Sequence, residues 1–180
     1  MPLSRATLLP ALRPAAWSTR RGLSDDGFCD AVATISLSHE LCAAFVCGDV
    51  DVSYRGLGEL DLSAHRAWEL AARNLIARAQ TPEGIRVLTR PYSGGLQVAM
   101  PGAPATSWLA HPHTLTILDG HLAHLLGEPV AWWISSSEKL VAVPRAGVEK
   151  QGFGDEGTLV EWRHGFPAPV SRPTPVPSPA

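Results

Sequence analysis

The chain has 180 residues, of which 45% are hydrophobic and 18% charged, and its 15 basic and 17 acidic side chains give a formal net charge of -2. This balance disfavours nucleic-acid binding through bulk electrostatics, and the apolar fraction is too high for a wholly disordered chain. No apolar run approaches the roughly 18 residues of a membrane span. We therefore expect a soluble, cytoplasmic protein that binds neither nucleic acid nor membrane.

Residues 1–24 carry four arginines and no acidic side chain. A short helix is the first interpretation, because Ser4 is a suitable N-cap and three leucines have helical spacing. An Arg-rich start without acids is also typical of a mitochondrial transit peptide, which would change the expected compartment to the mitochondrion. A disordered start is the third alternative. The leucines of the predicted helix are Leu8, Leu9 and Leu12.

Between residues 25 and 165 the pattern predicts a single α+β domain, which contains three β-hairpins. The first turns at Gly48-Asp49, the second near Gly94-Gly95 and the third at residues 135–138. Glycine favours such turns because it adopts positive φ without steric cost. The predicted strands are Leu41–Cys47 with 50–55, 85–92 with 96–100, and Val130–Ile134 with 139–143, followed by a further strand at 159–163.

Two amphipathic helices alternate with the hairpins. The first covers residues 64–80 after the N-cap Ser63, and the second covers Pro112–Leu126 with Gly127 at its C-terminal end. The order of elements predicts an α+β fold in which the helices pack on largely antiparallel sheet. The predicted buried stripes are Ala64, Ala67, Trp68, Ala71, Leu75 and Ala79 in the first helix, and Leu115, Leu118, Leu122, Leu125 and Leu126 in the second.

Residues 166–180 have the sequence FPAPVSRPTPVPSPA and include six of the 16 prolines. Proline donates no backbone hydrogen bond, so this composition predicts an extended, disordered tail. A ligand for a proline-recognition domain, within the segment RPTPVP, is the alternative.

The segment VDVSYRGLGELDLSAHRAWELAARNL, at residues 50–75, resembles the YtpQ-type family of bacterial proteins of unknown function. In that pattern a strand leads through an acidic, Leu-containing turn into a helix that ends in an Asn-Leu pair, here Asn74-Leu75. The later helix and the strand pair that ends near Pro144 are also similar, so the resemblance covers roughly residues 40–145. It implies a fold and no activity, because the family supplies no catalytic residues.

One predicted surface combines residue types that are enriched at protein interfaces. Arg86 and Arg90 are four apart on one predicted strand and point to the same side, where Tyr92 adds an aromatic ring. Trp132 and Trp133 point to opposite faces of the third hairpin, so one of them is expected in the core and the other near this surface. With no familiar catalytic motif present, these residues predict a non-enzymatic protein-binding module that needs no cofactor.

Histidines suggest an alternative function. His121 and His124 are three residues apart on the second predicted helix, so they share a face and can chelate one cation. His111 and His113 lie at the other end of that helix, about 12–15 Å away at ~1.5 Å per residue. The alternative is therefore a small metal-dependent enzyme or metal sensor, whereas the simpler interpretation leaves His121 and His124 on a solvated face.

Overall fold

The computed structural model describes residues 3–19, 30–136, 139–150 and 157–170. Within these ranges the chain is rich in antiparallel strands with three α-helices, which confirms the α+β prediction. Short 3-10 helices cover Arg5–Thr7, Ala15–Thr19, Ala105–Ala110 and Arg145–Lys150. The remaining elements are β1 (Leu8–Pro14), β2 (Thr34–Ser36), β3 (Leu41–Cys47), β4 (Val50–Asp51), α1 (Tyr54–Glu59), α2 (Ala64–Ala79), β5 (Gln80–Thr81), β6 (Gly84–Ile85), β7 (Leu88–Tyr92), β8 (Gly95–Ala99), α3 (Pro112–Leu126), β9 (Val130–Ile134), β10 (Leu140–Pro144), β11 (Thr158–Arg163) and β12 (Phe166–Pro169).

The smaller sheet is built around β3, whose apolar sequence LCAAFVC is buried except for Val46. β1 runs antiparallel along the whole of β3, from Leu8 opposite Cys47 to Pro14 opposite Leu41. β2 and the short β4 also pair with β3. A strand this apolar is favoured where both of its faces are covered. β3 is also paired along both edges, with β1 on one side and β2 on the other, which leaves β1 at the edge of the sheet.

The larger sheet has six strands in the order β12-β11-β9-β10-β8-β7. Successive side chains along a strand point to opposite faces, so the sheet divides into two sets of buried residues. The core face packs against the main core and includes Val98, Trp132, Leu140, Ala142 and Val160. The second face carries a separate cluster formed by Ala131, Trp133, Val141, Val143 and Leu159.

The two long helices begin and end where their capping residues predict. The Ser63 side chain accepts a hydrogen bond from the Arg66 N–H at the start of α2. At the end of α3, Gly127 adopts a φ of 75°, a left-handed conformation that glycine allows. α2 packs on β1, and α3 packs on β9 and β10. Most of the predicted stripe residues are buried: Ala67, Trp68, Ala71, Leu75 and Ala79 in α2, and Leu115, Leu118 and Leu122 in α3.

The predicted N-terminal helix is largely wrong. Ser4 does accept a hydrogen bond from the Ala6 N–H, but the helix that it caps is only the 3-10 segment Arg5–Thr7. Leu8–Pro14 is strand β1 instead. Two prolines, at positions 10 and 14, disfavour a helix and are tolerated on a sheet edge, and β3 supplies the hydrogen-bonding partner. Residues 20–24 of the predicted segment lie outside the described residues.

The predicted disordered tail is also wrong at its beginning. Phe166–Pro169 pairs antiparallel with β11, with Arg163 opposite Phe166. The turn between them has positive φ at His164 (52°) and Gly165 (88°), as in a tight two-residue hairpin. The prolines of β12 are compatible with its place at the end of the sheet. Residues 171–180, including the whole of the RPTPVP segment, lie outside the described residues.

Two predicted strands are shorter than expected. The strand expected at 50–55 ends at Asp51, because Ser53 accepts a hydrogen bond from the Gly56 N–H and starts α1. The strand expected at 85–92 divides in two: Gly84–Ile85 pairs with Gln80–Thr81, whereas Leu88–Tyr92 joins the six-stranded sheet. The middle hairpin is therefore β7–β8, and Arg86 lies outside its strands.

Candidate binding surface

The six-stranded sheet ends at β7, where three alternating side chains form what we call the β7 surface: Leu88, Arg90 and Tyr92. They belong to the second face of the sheet. None of the β7 residues is buried, and Leu88 is 52% exposed. An apolar side chain and a guanidinium therefore stand next to each other on the outermost strand of the sheet.

Tyr92 is held in place by an aromatic and cationic cluster. Its ring stacks on Trp133 with centroids 6.3 Å apart and an interplanar angle of 14°. Lys139 Nζ donates a hydrogen bond of 2.7 Å to the Tyr92 hydroxyl and lies 4.1 Å from the Tyr92 ring centroid. This hydrogen bond lowers the pKa of the Tyr92 hydroxyl. The cluster gives one end of the β7 surface a fixed geometry and a positive charge.

Arg90 is oriented by a neutral neighbour. Its Nε and Nη2 both donate to Gln97 Oε1, at 3.0 and 2.8 Å, across the β7–β8 pair. An amide oxygen orients a guanidinium without neutralising its charge. Within the described residues Arg90 forms no ion pair, so its positive charge is available to an acidic group outside the chain.

The backbone of β7 also presents hydrogen-bonding groups. Ser93 and Gly94 form a tight turn with φ of 41° and 75°, and Tyr92 pairs with Gly95 across it. Pro91 has no backbone N–H. It therefore suits a position on β7 at which the backbone nitrogen points away from β8. Thr89 is two residues earlier and presents its N–H and C=O to the same outer edge. No other strand pairs with this edge in the described part of the chain.

Two of the predicted binding residues lie elsewhere. Arg86 is exposed between β6 and β7, and its backbone N–H donates to the Ala79 carbonyl. Trp132 is fully buried on the core face, where its Nε1 donates to Asp119 Oδ1 at 3.2 Å. The structure therefore brings together Arg90, Tyr92 and Trp133, of which Trp133 is itself buried with 6% exposure.

Lys139 and Gln97 were missed by the sequence reasoning. Lys139 is one of two lysines in the chain, and it directly precedes a strand of the third hairpin. A lysine next to the start of a strand is a sequence signal for a positive charge at the end of the sheet. Its contact with Tyr92 spans 47 residues and depends on β10 pairing with β8, which the local pattern does not reveal.

The histidines of the metal hypothesis are spread over α3. His121 and His124 are both exposed, as in the simpler interpretation. His111 is buried at the start of the helix, where its Nδ1 accepts a hydrogen bond from the His113 N–H. The residues that the structure describes contain no group of three or more His, Cys, Asp or Glu side chains placed to hold a metal ion.

Comparison of the chain with known proteins gives no significant match. No protein-family model matches the chain, and neither curated proteins nor solved structures give a significant match. The resemblance to the YtpQ-type family therefore stays a prediction. None of the helices in the described ranges has the length and apolar character required to cross a membrane.

Proposed function

We propose that the protein is a binding module that takes up an extended segment of another protein along β7. The observation that carries this proposal is the outer edge of β7, which bears exposed Leu88 and Arg90 and has no paired strand in the described residues. Added strands bind through the main chain of a sheet edge and gain specificity from alternate side chains.

The chemistry of the β7 surface favours a partner segment with an apolar and an acidic residue. Leu88 offers apolar contact. The charge of Arg90 is not offset by its hydrogen-bond partner, because Gln97 is neutral. Lys139 adds a second positive charge beside Tyr92. Tyrosine and arginine are enriched at protein interfaces, because each combines a large contact area with hydrogen bonding.

The test is selection of random displayed peptides on the purified protein, followed by NMR mapping of an enriched peptide. We expect enriched peptides to contain an acidic residue and to perturb the amide signals of β7. Strand addition also slows hydrogen exchange of the Thr89 amide, because a hydrogen bond then covers its N–H. Arg90→Ala is expected to weaken peptide affinity by about tenfold, the value of one charge-assisted hydrogen bond.

Arg86→Ala is the matched control, since Arg86 is an exposed arginine nearby that lies outside β7. We expect its affinity to stay within about twofold of the wild type. Equal losses in the two variants would contradict the proposal. So would a selection that enriches no peptide, or peptides that perturb a different surface and leave the Thr89 amide unprotected.

A further inference from the structure

A cleft of about 540 Å³ lies between the edge of the smaller sheet and one end of the larger sheet. One wall consists of Arg13 and Pro14 at the end of β1 and of Trp17 in the following 3-10 helix. The opposite wall is formed where β9 ends and β11 begins, and includes Ser135 and Thr158. This volume is within the range of small-molecule sites and far larger than a single inorganic ion requires.

Arg13 presents a guanidinium with donors to spare at this cleft. Its Nη1 donates weakly to the Leu12 carbonyl at 3.4 Å, and its Nη2 lies 3.7 Å from Asp51 Oδ1. Its Nε is buried and has no hydrogen-bond partner among the described residues. A guanidinium has five N–H donors, and the contacts of Nη1 and Nη2 are both long. The side chain is 25% exposed, so a ligand with paired acceptor oxygens would bind through the Nη atoms and not through the buried Nε.

Trp17 and Asp51 hold the guanidinium in position. Arg13 Cζ lies 5.1 Å from the Trp17 ring centroid, which is a cation–π distance. The Trp17 Nε1 donates to Asp51 Oδ2 at 3.2 Å, so the carboxylate fixes the ring. Asp51 also offsets part of the Arg13 charge. The resulting pair is close to neutral, which favours a singly charged anion over a doubly charged phosphate.

The remaining lining supplies both hydroxyl groups and apolar contact. Ser135, Ser136 and Thr158 offer hydroxyls, which donate or accept hydrogen bonds. The side chains of Leu12 and Ile134 contribute apolar surface. We propose that this cleft binds a small organic carboxylate, with the carboxylate on Arg13 and an apolar body against Leu12 and Ile134. This site is separate from the β7 surface and does not depend on peptide binding there.

Benzoate is a suitable probe, with benzamide as its neutral counterpart of nearly the same shape. In NMR titrations of the ¹⁵N-labelled full chain, we expect benzoate to shift the Arg13 Nε–Hε and Trp17 indole signals saturably. Benzamide is expected to bind about tenfold more weakly, because it lacks the charge that strengthens a hydrogen bond to guanidinium. Inorganic phosphate, added in parallel, is expected to bind more weakly than benzoate because of Asp51.

Three variants make the result decisive. Arg13→Gln is expected to lower benzoate affinity by about tenfold, whereas Arg66→Gln, which removes an exposed arginine from α2, leaves it unchanged. Asp51→Asn keeps a hydrogen-bond acceptor for Trp17 and removes the competing charge, so it is expected to tighten benzoate binding. That gain cannot arise from misfolding. Equal binding of benzoate and benzamide, tighter binding of phosphate, no saturable shift, or unchanged affinity in Arg13→Gln or Asp51→Asn would overturn the proposal.

Discussion

Trp132 and Asp119 form a polar contact inside the molecule. The indole of Trp132 is fully buried on β9, and its Nε1 donates to the carboxylate of Asp119 on α3. Burial raises the pKa of Asp119, although the hydrogen bond from Trp132 acts in the opposite direction. The carboxylate is thus needed as an acceptor, while its charge is unfavourable in this position.

Replacing Asp119 separates these two roles. Asp119→Ala leaves the Trp132 N–H without its acceptor and is expected to lower the free energy of unfolding by about 1–3 kcal/mol. Asp119→Asn keeps an acceptor without the charge and is expected to be at least as stable as the wild type at neutral pH. Urea denaturation of the three proteins measures these differences. Equal losses in both variants would show that the hydrogen bond does not matter.

His111 acts as the N-cap of α3 while it is buried. Its ring lies against Trp68 with centroids 4.5 Å apart, and its Nε2 is 3.6 Å from Glu69 Oε1. Burial lowers the pKa of His111 below its ordinary 6.5; the Glu69 carboxylate raises it, and the nearby His113 and His65 lower it further. Protonation at Nδ1 would replace the acceptor that caps the helix with a donor.

The lowered pKa of His111 predicts a loss of stability in acid. Above pH 6.5 the side chain is neutral in both states, so its contribution is fully present. As the pH falls below that value the unfolded chain takes up the proton first, and stability declines until the folded pKa has been passed. Asn is a good N-cap that does not titrate, so His111→Asn is expected to show a smaller stability difference between about pH 7.5 and about pH 5.

Chemical denaturation at the two pH values is the measurement, and His121→Asn is the control. His121 is an exposed histidine of the same helix and is not among the groups that shift the pKa of His111. We expect its variant to keep the pH dependence of the wild type. If His111→Asn kept the full pH dependence instead, the acid sensitivity would arise from another group.

At the scale of elements, Gly157 sets how closely the start of β11 approaches β9. It directly precedes β11, and a Cβ at this position would collide with the Trp133 indole and lie 3.0 Å from the Ile134 carbonyl oxygen. Trp133 in turn stacks on Tyr92. A side chain at position 157 would therefore push against the cluster that supports the β7 surface.

Gly157→Ala is expected to lower the free energy of unfolding by about 1–3 kcal/mol through this overpacking. Gly120→Ala is the matched control, because a Cβ at this exposed position of α3 has open space around it. Alanine favours a helix, so the control is expected to gain about 0.5–1 kcal/mol. Thermal or urea denaturation compares the two. An unchanged or increased stability of Gly157→Ala would mean that Trp133 can move without cost.

Local signals predicted the two long helices, α2 and α3, well and the terminal strands poorly. Ser63 and Gly127 mark helix ends through bonds within a few residues, so α2 and α3 were predicted to within a residue. β1 is stabilised by pairing with β3, which lies about 33 residues away along the chain. β12 is stabilised by pairing with β11, which lies a few residues away. Proline suggested a break in both segments, although on a sheet edge it is compatible with a strand.

At the scale of the whole molecule, the six-stranded sheet decides which predicted residues meet. Trp132 and Trp133 are adjacent in sequence, yet one belongs to the main core and the other to the second face. Alternation along a strand predicted this separation but not which tryptophan belongs to which face. The pairing of β10 with both β8 and β9 places Trp133, Tyr92 and Lys139 together.

The sequence by itself determined the α+β class, the positions of α2 and α3 and the three hairpin turns. These features depend on hydrophobic periodicity, capping and turn residues, which act over a few positions of the chain. The tertiary structure alone decided the order of strands, the strand identity of Leu8–Pro14 and the placement of Arg13 and Ser135 on opposite walls of one cleft. Such contacts depend on which distant segments bury each other's apolar surface, and no local pattern specifies that choice.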